Sequence, residues 1–300
     1  MRAMTTGPVY VVLGGTGRLG RYLLAELHAQ GRRAIGISRQ PGATVATRVD
    51  WIQADLAATE QWPRAQKQLF HLLAGEKEVV LADLLLDRTS VTSMRRSIGA
   101  VTAFTLRAQH TLVTNGFTVQ VLAASTTATL APRMLQTPYG RAKRAQALRY
   151  ARLSRIDLVL LPQLLDAAES SGAGSATCTY GAAAASLTAI SQEPADRSLW
   201  VVRGSVPHSY AQRGLAGLPT FLGALALSRT VSRNNPAAHR RASRAGLAIL
   251  PPHIRVQVDH HGAPERLVHG FARQLGVSRV RSISAGAPHA LPEEHDEKRT

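Results

Sequence analysis

The chain alternates short apolar runs with longer segments in which apolar residues return every three or four positions. Val9–Leu13 (VYVVL) is the first run and predicts a buried strand. A glycine-rich turn follows, with Gly14, Gly17 and Gly20 three residues apart. Leu19, Leu23, Leu24 and Leu27 then share one helical face, and Gly31 ends that helix. Ala34–Ser38 reads as a second strand. The alternation continues with a strand at 49–53, a helix at 60–73, an apolar run at 79–86 and a helix at 93–115. That last helix carries Ile98, Val101, Phe104 and Leu112 at helical spacing and stops at Gly116. A strand at 118–123, a helix at 137–153 and the strand Ile156–Leu161, ended by Pro162, complete the series. Strands that alternate with helices predict an α/β fold, a doubly wound parallel sheet with helices on both faces.

From Gly172 the pattern loosens, although 180–190 reads as a helix and Ser198–Arg203 (SLWVVR) as a strand. Beyond 205 the chain is rich in Pro and Gly, with one strand-like run at 254–258. The expected organisation is a flexible N-terminus (1–8), a nucleotide-binding Rossmann domain (9–205), a smaller, mostly helical substrate-binding region (206–290) and a charged, disordered tail (291–300).

Composition adds bounds. With 45% hydrophobic and 18% charged residues in 300, the chain reads as a soluble globular protein with ample core. Only four residues are lysine, so the net charge of +17 is almost all arginine. The arginines are scattered, aromatics make up 5%, and no nucleic-acid-binding signature is present, so nucleic acid is not expected as a partner. Residues 197–258 hold nine arginines and no acid, densest at 229–244. That stretch reads as a solvated basic face, or as an attractor for an anionic substrate such as a nucleotide-sugar diphosphate, a phosphate ester or a carrier-tethered acyl group. The single cysteine, Cys178, excludes an internal disulfide and fits a reducing cytoplasm. The N-terminus is too short and polar for a signal peptide, and the apolar run 215–227 is broken by Gly217, Pro219 and Gly223, so no membrane association is expected. His253, Asp259, His260 and His261 lack a consistent ligand spacing, and no metal is expected.

Two stretches carry chemistry. Strand, tight glycine turn and helix is the context of a dinucleotide site: glycines bring the backbone close to a pyrophosphate, and the first N–H groups of the helix meet its charge. After the second strand stand Ser38 and Arg39, with no carboxylate until Asp50. An arginine fork suits a 2′-phosphate and an acid would repel it, so NADP(H) is favoured, with Arg18 as a second charge. The second stretch is Tyr139-Gly140-Arg141-Ala142-Lys143. Four residues apart on a helix, the phenol and the ammonium lie one turn from each other. The ammonium favours the phenolate, which makes Tyr139 usable as a general acid or base, and the lysine can also hold the cofactor ribose. The polar corner Ser125-Thr126-Thr127 offers hydroxyls to orient a substrate oxygen.

GGTGRLG at 14–20, Asp55-Leu56, the Ser-Thr-Thr corner and YGRAK at 139–143 together resemble the short-chain dehydrogenase/reductase superfamily, in its extended or atypical branch of NAD-dependent epimerase/dehydratase-like proteins. The resemblance covers about residues 9–205. It implies a proton-transfer role for Tyr139, a tuning and ribose-binding role for Lys143, and a substrate-orienting role for Thr126 or Thr127. Cofactor contacts are implied at Gly14, Thr16, Gly17, Arg18, Leu19, Gly20, Ser38, Arg39, Asp55 (adenine), Leu56, Ala82 and Lys143. The chain departs from the family pattern at Ala82-Asp83-Leu84, where small residues are usual, and at Leu161-Pro162-Gln163. Asp83 and Asp87 are expected either to touch a substrate or to cap their loop. The reading is an NADP(H)-dependent oxidoreductase that interconverts a ketone and an alcohol on a small metabolite, anionic if the arginine-rich stretch serves it. Alternatives are a nucleotide-sugar epimerase or dehydratase that keeps its nucleotide bound, and a non-catalytic NADP-binding sensor. The expected partner is a small-molecule substrate, with a homodimer admitted as the assembly.

Overall fold

The computed structural model describes residues 7–40, 49–85, 90–130, 137–165, 177–194, 196–203, 265–277 and 279–284. Eight strands form one parallel sheet: β1 (Val9–Leu13), β2 (Ala34–Ser38), β3 (Asp50–Gln53), β4 (Glu78–Asp83), β5 (Thr118–Thr126), β6 (Ile156–Leu161), β9 (Ser198–Arg203) and β10 (Arg279–Ser284). Their spatial order is β10-β9-β6-β5-β4-β1-β2-β3, so the first six run 3-2-1-4-5-6 in reverse, the doubly wound order. Two short strands, β7 (Gln163–Leu165) and β8 (Thr177–Thr179), pair separately.

The helices are α1 (Arg18–Ala29), α2 (Trp62–Leu72), α3 (Val91–Thr114), α4 (Pro138–Tyr150), α5 (Tyr180–Gln192) and α6 (Glu265–Leu275). Strand periodicity of two sorts the core into halves. Val9, Val11 and Leu13 face α2, α3, α4 and α6, with Phe104, Tyr150 and Phe271. Tyr10 and Val12 face α1 and α5, with Leu23, Leu27 and Leu187. No helix among the described residues is long and apolar enough to cross a membrane.

Four differences from the sequence reading bear on the site. The fifth strand runs on through Ser125 and Thr126, because β6 keeps pairing with it up to Thr126↔Leu161. The fourth stops at Asp83 rather than at 86, since its partner β1 ends at Leu13 and the glycine turn begins there. The strands β7 and β8 were not anticipated from the sequence; at three residues each they leave no periodic trace. Finally, α6 and β10 lie in the region set apart as substrate-binding, and β10 pairs with β9 in the main sheet over six residues. The strand-like run at 254–258, the arginine-rich stretch at 229–244, the histidines near 260, Asp87 and the charged tail lie outside the described residues.

Candidate active site

Among the described residues, the glycine turn, the Ser-Thr-Thr corner and the start of the helix bearing Tyr139 fall at the carboxyl edge of the sheet, where ligands of such folds bind. The glycine turn leaves β1 with Gly14 at φ +87°, a left-handed conformation that side chains resist. A Cβ there would stand 2.8 Å from Leu85 Cα, and a Cβ on Gly20 would stand 2.2 Å from Gly14 O. These glycines therefore permit two close approaches, the loop after β4 onto the turn and α1 onto the turn. The Gly17 N–H closes the turn on Gly14 O at 2.9 Å. Gly17 is the N-cap of α1, so no side chain caps the first turn. A helix start with uncapped N–H groups and no acid in its first turn is suited to an anion. Thr16 is half-buried beside it, Arg18 is exposed and Leu19 packs partly onto the core.

The neighbouring strand ends place the other expected cofactor residues unequally. Arg39 is exposed just past β2. Ser38 is buried, and its hydroxyl donates to Gln40 O within the turn. Asp55 is half-buried, and its Oδ1 accepts from the Ala57 N–H at 2.9 Å. Leu56 and Ala82 are core residues, and Leu56 O is taken by the Trp62 indole N–H at 3.0 Å. Their side chains present no surface to a ligand.

At the end of β5 the helix α4 comes down onto the sheet. Thr137 caps it, its Oγ1 accepting from the Gly140 N–H at 3.0 Å, and Pro138 suits the first turn. Tyr139, Lys143, Gln146 and Tyr150 follow at intervals of four, three and four and so share one face of α4. Tyr139, nearest the edge, is half-buried; Lys143, Gln146 and Tyr150 are buried. The Lys143 ammonium donates to Ala124 O at 2.9 Å and to Gln146 Oε1 at 2.8 Å. Thr126 ends β5 half-exposed, and Thr127 opens a 3-10 turn, Thr127–Leu130.

Sequence reading singled out Asp83 but did not foresee the partners through which it organises this corner. Asp83, the last residue of β4, has no solvent exposure. Its Oδ2 accepts from the Tyr150 hydroxyl at 2.6 Å and from Gln146 Nε2 at 2.7 Å; Gln146 Nε2 also reaches Thr102 Oγ1 at 3.0 Å. Burial raises the Asp83 pKa, against the opposing pull of the Lys143 charge and the Tyr150 hydrogen bond. Burial, then the charge of Asp83, hold the Tyr150 phenol well above its ordinary value. Asp83, expected either to touch a substrate or to cap its loop, lies in a buried polar network in which the backbone of Leu85, in that loop, also acts on it. Ser125, the first hydroxyl of the polar corner, is buried, and its Oγ has no hydrogen-bond partner. The contacts run without a break from the glycine turn through Leu85 and β4 to Asp83, Gln146, Lys143 and the end of β5.

Residues 10–155 match the sequence profile of the NAD dependent epimerase/dehydratase family. No curated protein matches the chain. Among solved structures, UDP-N-acetylglucosamine 4-epimerase from Bacillus cereus is 17% identical, over 63% of this chain and 75% of its own, with a TM-score of 0.48. A short chain dehydrogenase from Leptospira borgpetersenii with bound NAD+ is 14% identical, over 53% and 72%, with a TM-score of 0.45. ElxO with NADP bound is 14% identical, over 53% and 74%, with a TM-score of 0.44.

Proposed function

We propose that this chain, whose residues 10–155 belong to the NAD dependent epimerase/dehydratase family, is an oxidoreductase that prefers NADP(H) and interconverts a ketone and an alcohol on a small metabolite. The observation that carries the reading is the join at the carboxyl edge. A glycine turn built for close backbone approach touches the β4 loop at Leu85, and Asp83 at the end of β4 leads through Gln146 to Lys143. The residues present fit the dinucleotide: the uncapped start of α1 would hold its pyrophosphate, and Arg39 and Arg18, both exposed, would meet a 2′-phosphate. A bound nicotinamide supplies or accepts the hydride.

The chain's own residues do the rest. Tyr139, half-buried on the lysine face of α4, gives its proton to the substrate oxygen in reduction and takes it back in oxidation. Lys143 supports it from one turn away, anchored on Ala124 O. The hydroxyl of Thr126 or Thr127, at the end of β5, orients the substrate oxygen. The region 206–290 would then supply the substrate contacts, the arginine-rich stretch favouring an anion.

The family match favours a second reading, an epimerase or dehydratase that recycles its hydride on a retained nucleotide. NADPH consumption separates the two, since such an enzyme shows no net change in nicotinamide absorbance. The first test is fluorescence titration of the protein and of Arg39→Ala with NADPH and NADH. Tighter NADPH binding that weakens by about tenfold or more in the variant, with NADH unaffected, is the expected result. Equal binding of NADH that ignores Arg39 would remove the NADP preference and favour the epimerase reading. Binding of neither nucleotide would overturn the enzyme reading itself.

A further inference from the structure

We infer that Asp83 is a positioning residue for Lys143, a buried carboxylate that acts through the Gln146 carboxamide to hold the Lys143 ammonium against the end of β5. The inference rests on the reading of Lys143 as the lysine of the reaction site. Gln146 offers its oxygen to Lys143 at 2.8 Å and its nitrogen to Asp83 at 2.7 Å, so the amide is oriented by both charges at once. Reversing it would set N–H against ammonium and oxygen against carboxylate. Tyr150, on α4, donates to the same Asp83 oxygen, Thr102, on α3, accepts from Gln146, and Asp83 Oδ1 makes no hydrogen bond. Lys143 is 3% exposed and Asp83 fully buried, so neither charge has water as an alternative partner. The Lys143 charge opposes the effect of burial on Asp83.

The arrangement also explains why one tyrosine of the lysine face is set apart from the other. Tyr150 is fully buried and spends its hydroxyl proton on Asp83, whereas Tyr139 lies half-buried toward the edge. Asp83 thus engages the inner tyrosine and leaves the outer one, a helical turn from Lys143, outside its reach. The acid that breaks the usual small-residue pattern after the fourth strand is, on this account, part of the site's support.

The test uses the full chain, with NADPH and NADH as the probes. Asp83→Asn keeps the shape and removes the charge. It is expected to weaken both nucleotides alike, by about tenfold, because the ribose that Lys143 would hold is common to both. This separates it from Arg39→Ala, which affects NADPH alone. Adding Gln146→Glu to Asp83→Asn puts a carboxylate directly beside Lys143 and is expected to recover most of the lost affinity, which a mere packing role would not allow. Wild-type affinity in Asp83→Asn, at a lower melting temperature, would overturn the inference. Should the wild type bind neither nucleotide, the functional reading fails, and the melting temperatures of Asp83→Asn, Lys143→Met and the double variant decide the pairing instead. A double variant that melts no lower than Lys143→Met upholds it, and strictly additive losses overturn it.

Discussion

Two aspartates are buried in the same sheet, one at each end, and they are held in different ways. Asp157, the second residue of β6, lies toward the amino edge, with 1% exposure. Its Oδ1 accepts from the Trp200 indole N–H at 2.9 Å and its Oδ2 from Gln120 Nε2 at 2.8 Å. Both donors are neutral side chains of the neighbouring strands β9 and β5. Asp83, at the carboxyl edge, is tied instead to a helix, and its support includes a lysine ammonium. The amino-edge acid stitches strands together. The carboxyl-edge acid couples the sheet to the helix that bears the candidate reaction pair, so equal burial does not mean equal function.

The largest effect that would break this contrast is on stability. Asp83→Asn leaves Lys143 without its counter-charge, and Gln146 cannot turn its amide without facing the lysine with N–H groups. A loss of about 1.5–3 kcal/mol is expected, the range for a hydrogen bond to a charged group whose partner is left buried. Asp157→Asn faces an easier repair, because Gln120 can turn to offer its oxygen to the new amide. Its cost is expected to stay within about 1 kcal/mol. Denaturant unfolding of the two variants measures both, and equal losses would show that the lysine makes no difference.

The same contrast marks what could be read from the sequence. The first strands and helices were legible because each is a local pattern: Val9–Leu13, Gly14–Gly20 and the leucines of α1 lie within a few turns of one another. That Tyr139 and Lys143 stand four apart on one helix was legible for the same reason. Asp83 was not, because an acid inside the run VVLADLLL gives no local sign of burial and its partners stand 63 and 67 residues away. The place of β10 was hidden similarly. Seventy-five residues separate it from its neighbour β9, and nothing in RVRSIS marks a strand that closes a sheet edge. Local periodicity identifies elements; a buried polar network is a property of the assembled fold.

A smaller effect, on pH dependence, sharpens the comparison. Burial holds the Asp157 pKa above its ordinary value, opposed by the Trp200 and Gln120 hydrogen bonds and by the charge of Arg281, and aided by Asp196. In the window from the ordinary carboxylate value up to the raised one, the folded chain binds more protons than the unfolded chain. Stability contributed by this group is therefore full below that window and declines as pH rises through it. Asp157→Asn removes that decline, so its stability relative to the wild type should improve from about pH 4 toward neutrality. Denaturation midpoints across that range supply the test, and curves that stay parallel would show that the carboxyl titrates alike in both states. Asp83 follows the same sign, reduced by the opposing Lys143 charge.

The smallest expected change in stability comes from Ser125. It lies two residues beyond Ala123, the register partner of Asp83, and so on the same face of the sheet. Its buried Oγ makes no hydrogen bond, so Ser125→Ala removes a hydroxyl whose desolvation is uncompensated. Stability should therefore shift by no more than about 0.5 kcal/mol, or rise. A hydroxyl that costs the fold something and stands one residue from the Lys143 anchor at Ala124 is a candidate for holding a substrate oxygen. The comparison with Thr126→Ala, followed by NADPH consumption over a panel of ketones, assigns the role. Turnover that falls about a hundredfold in Ser125→Ala at unchanged stability would move the orienting hydroxyl from Thr126 or Thr127 to Ser125. Turnover that falls only in Thr126→Ala would keep it at the half-exposed end of β5 and leave the unpaired Ser125 without a catalytic explanation.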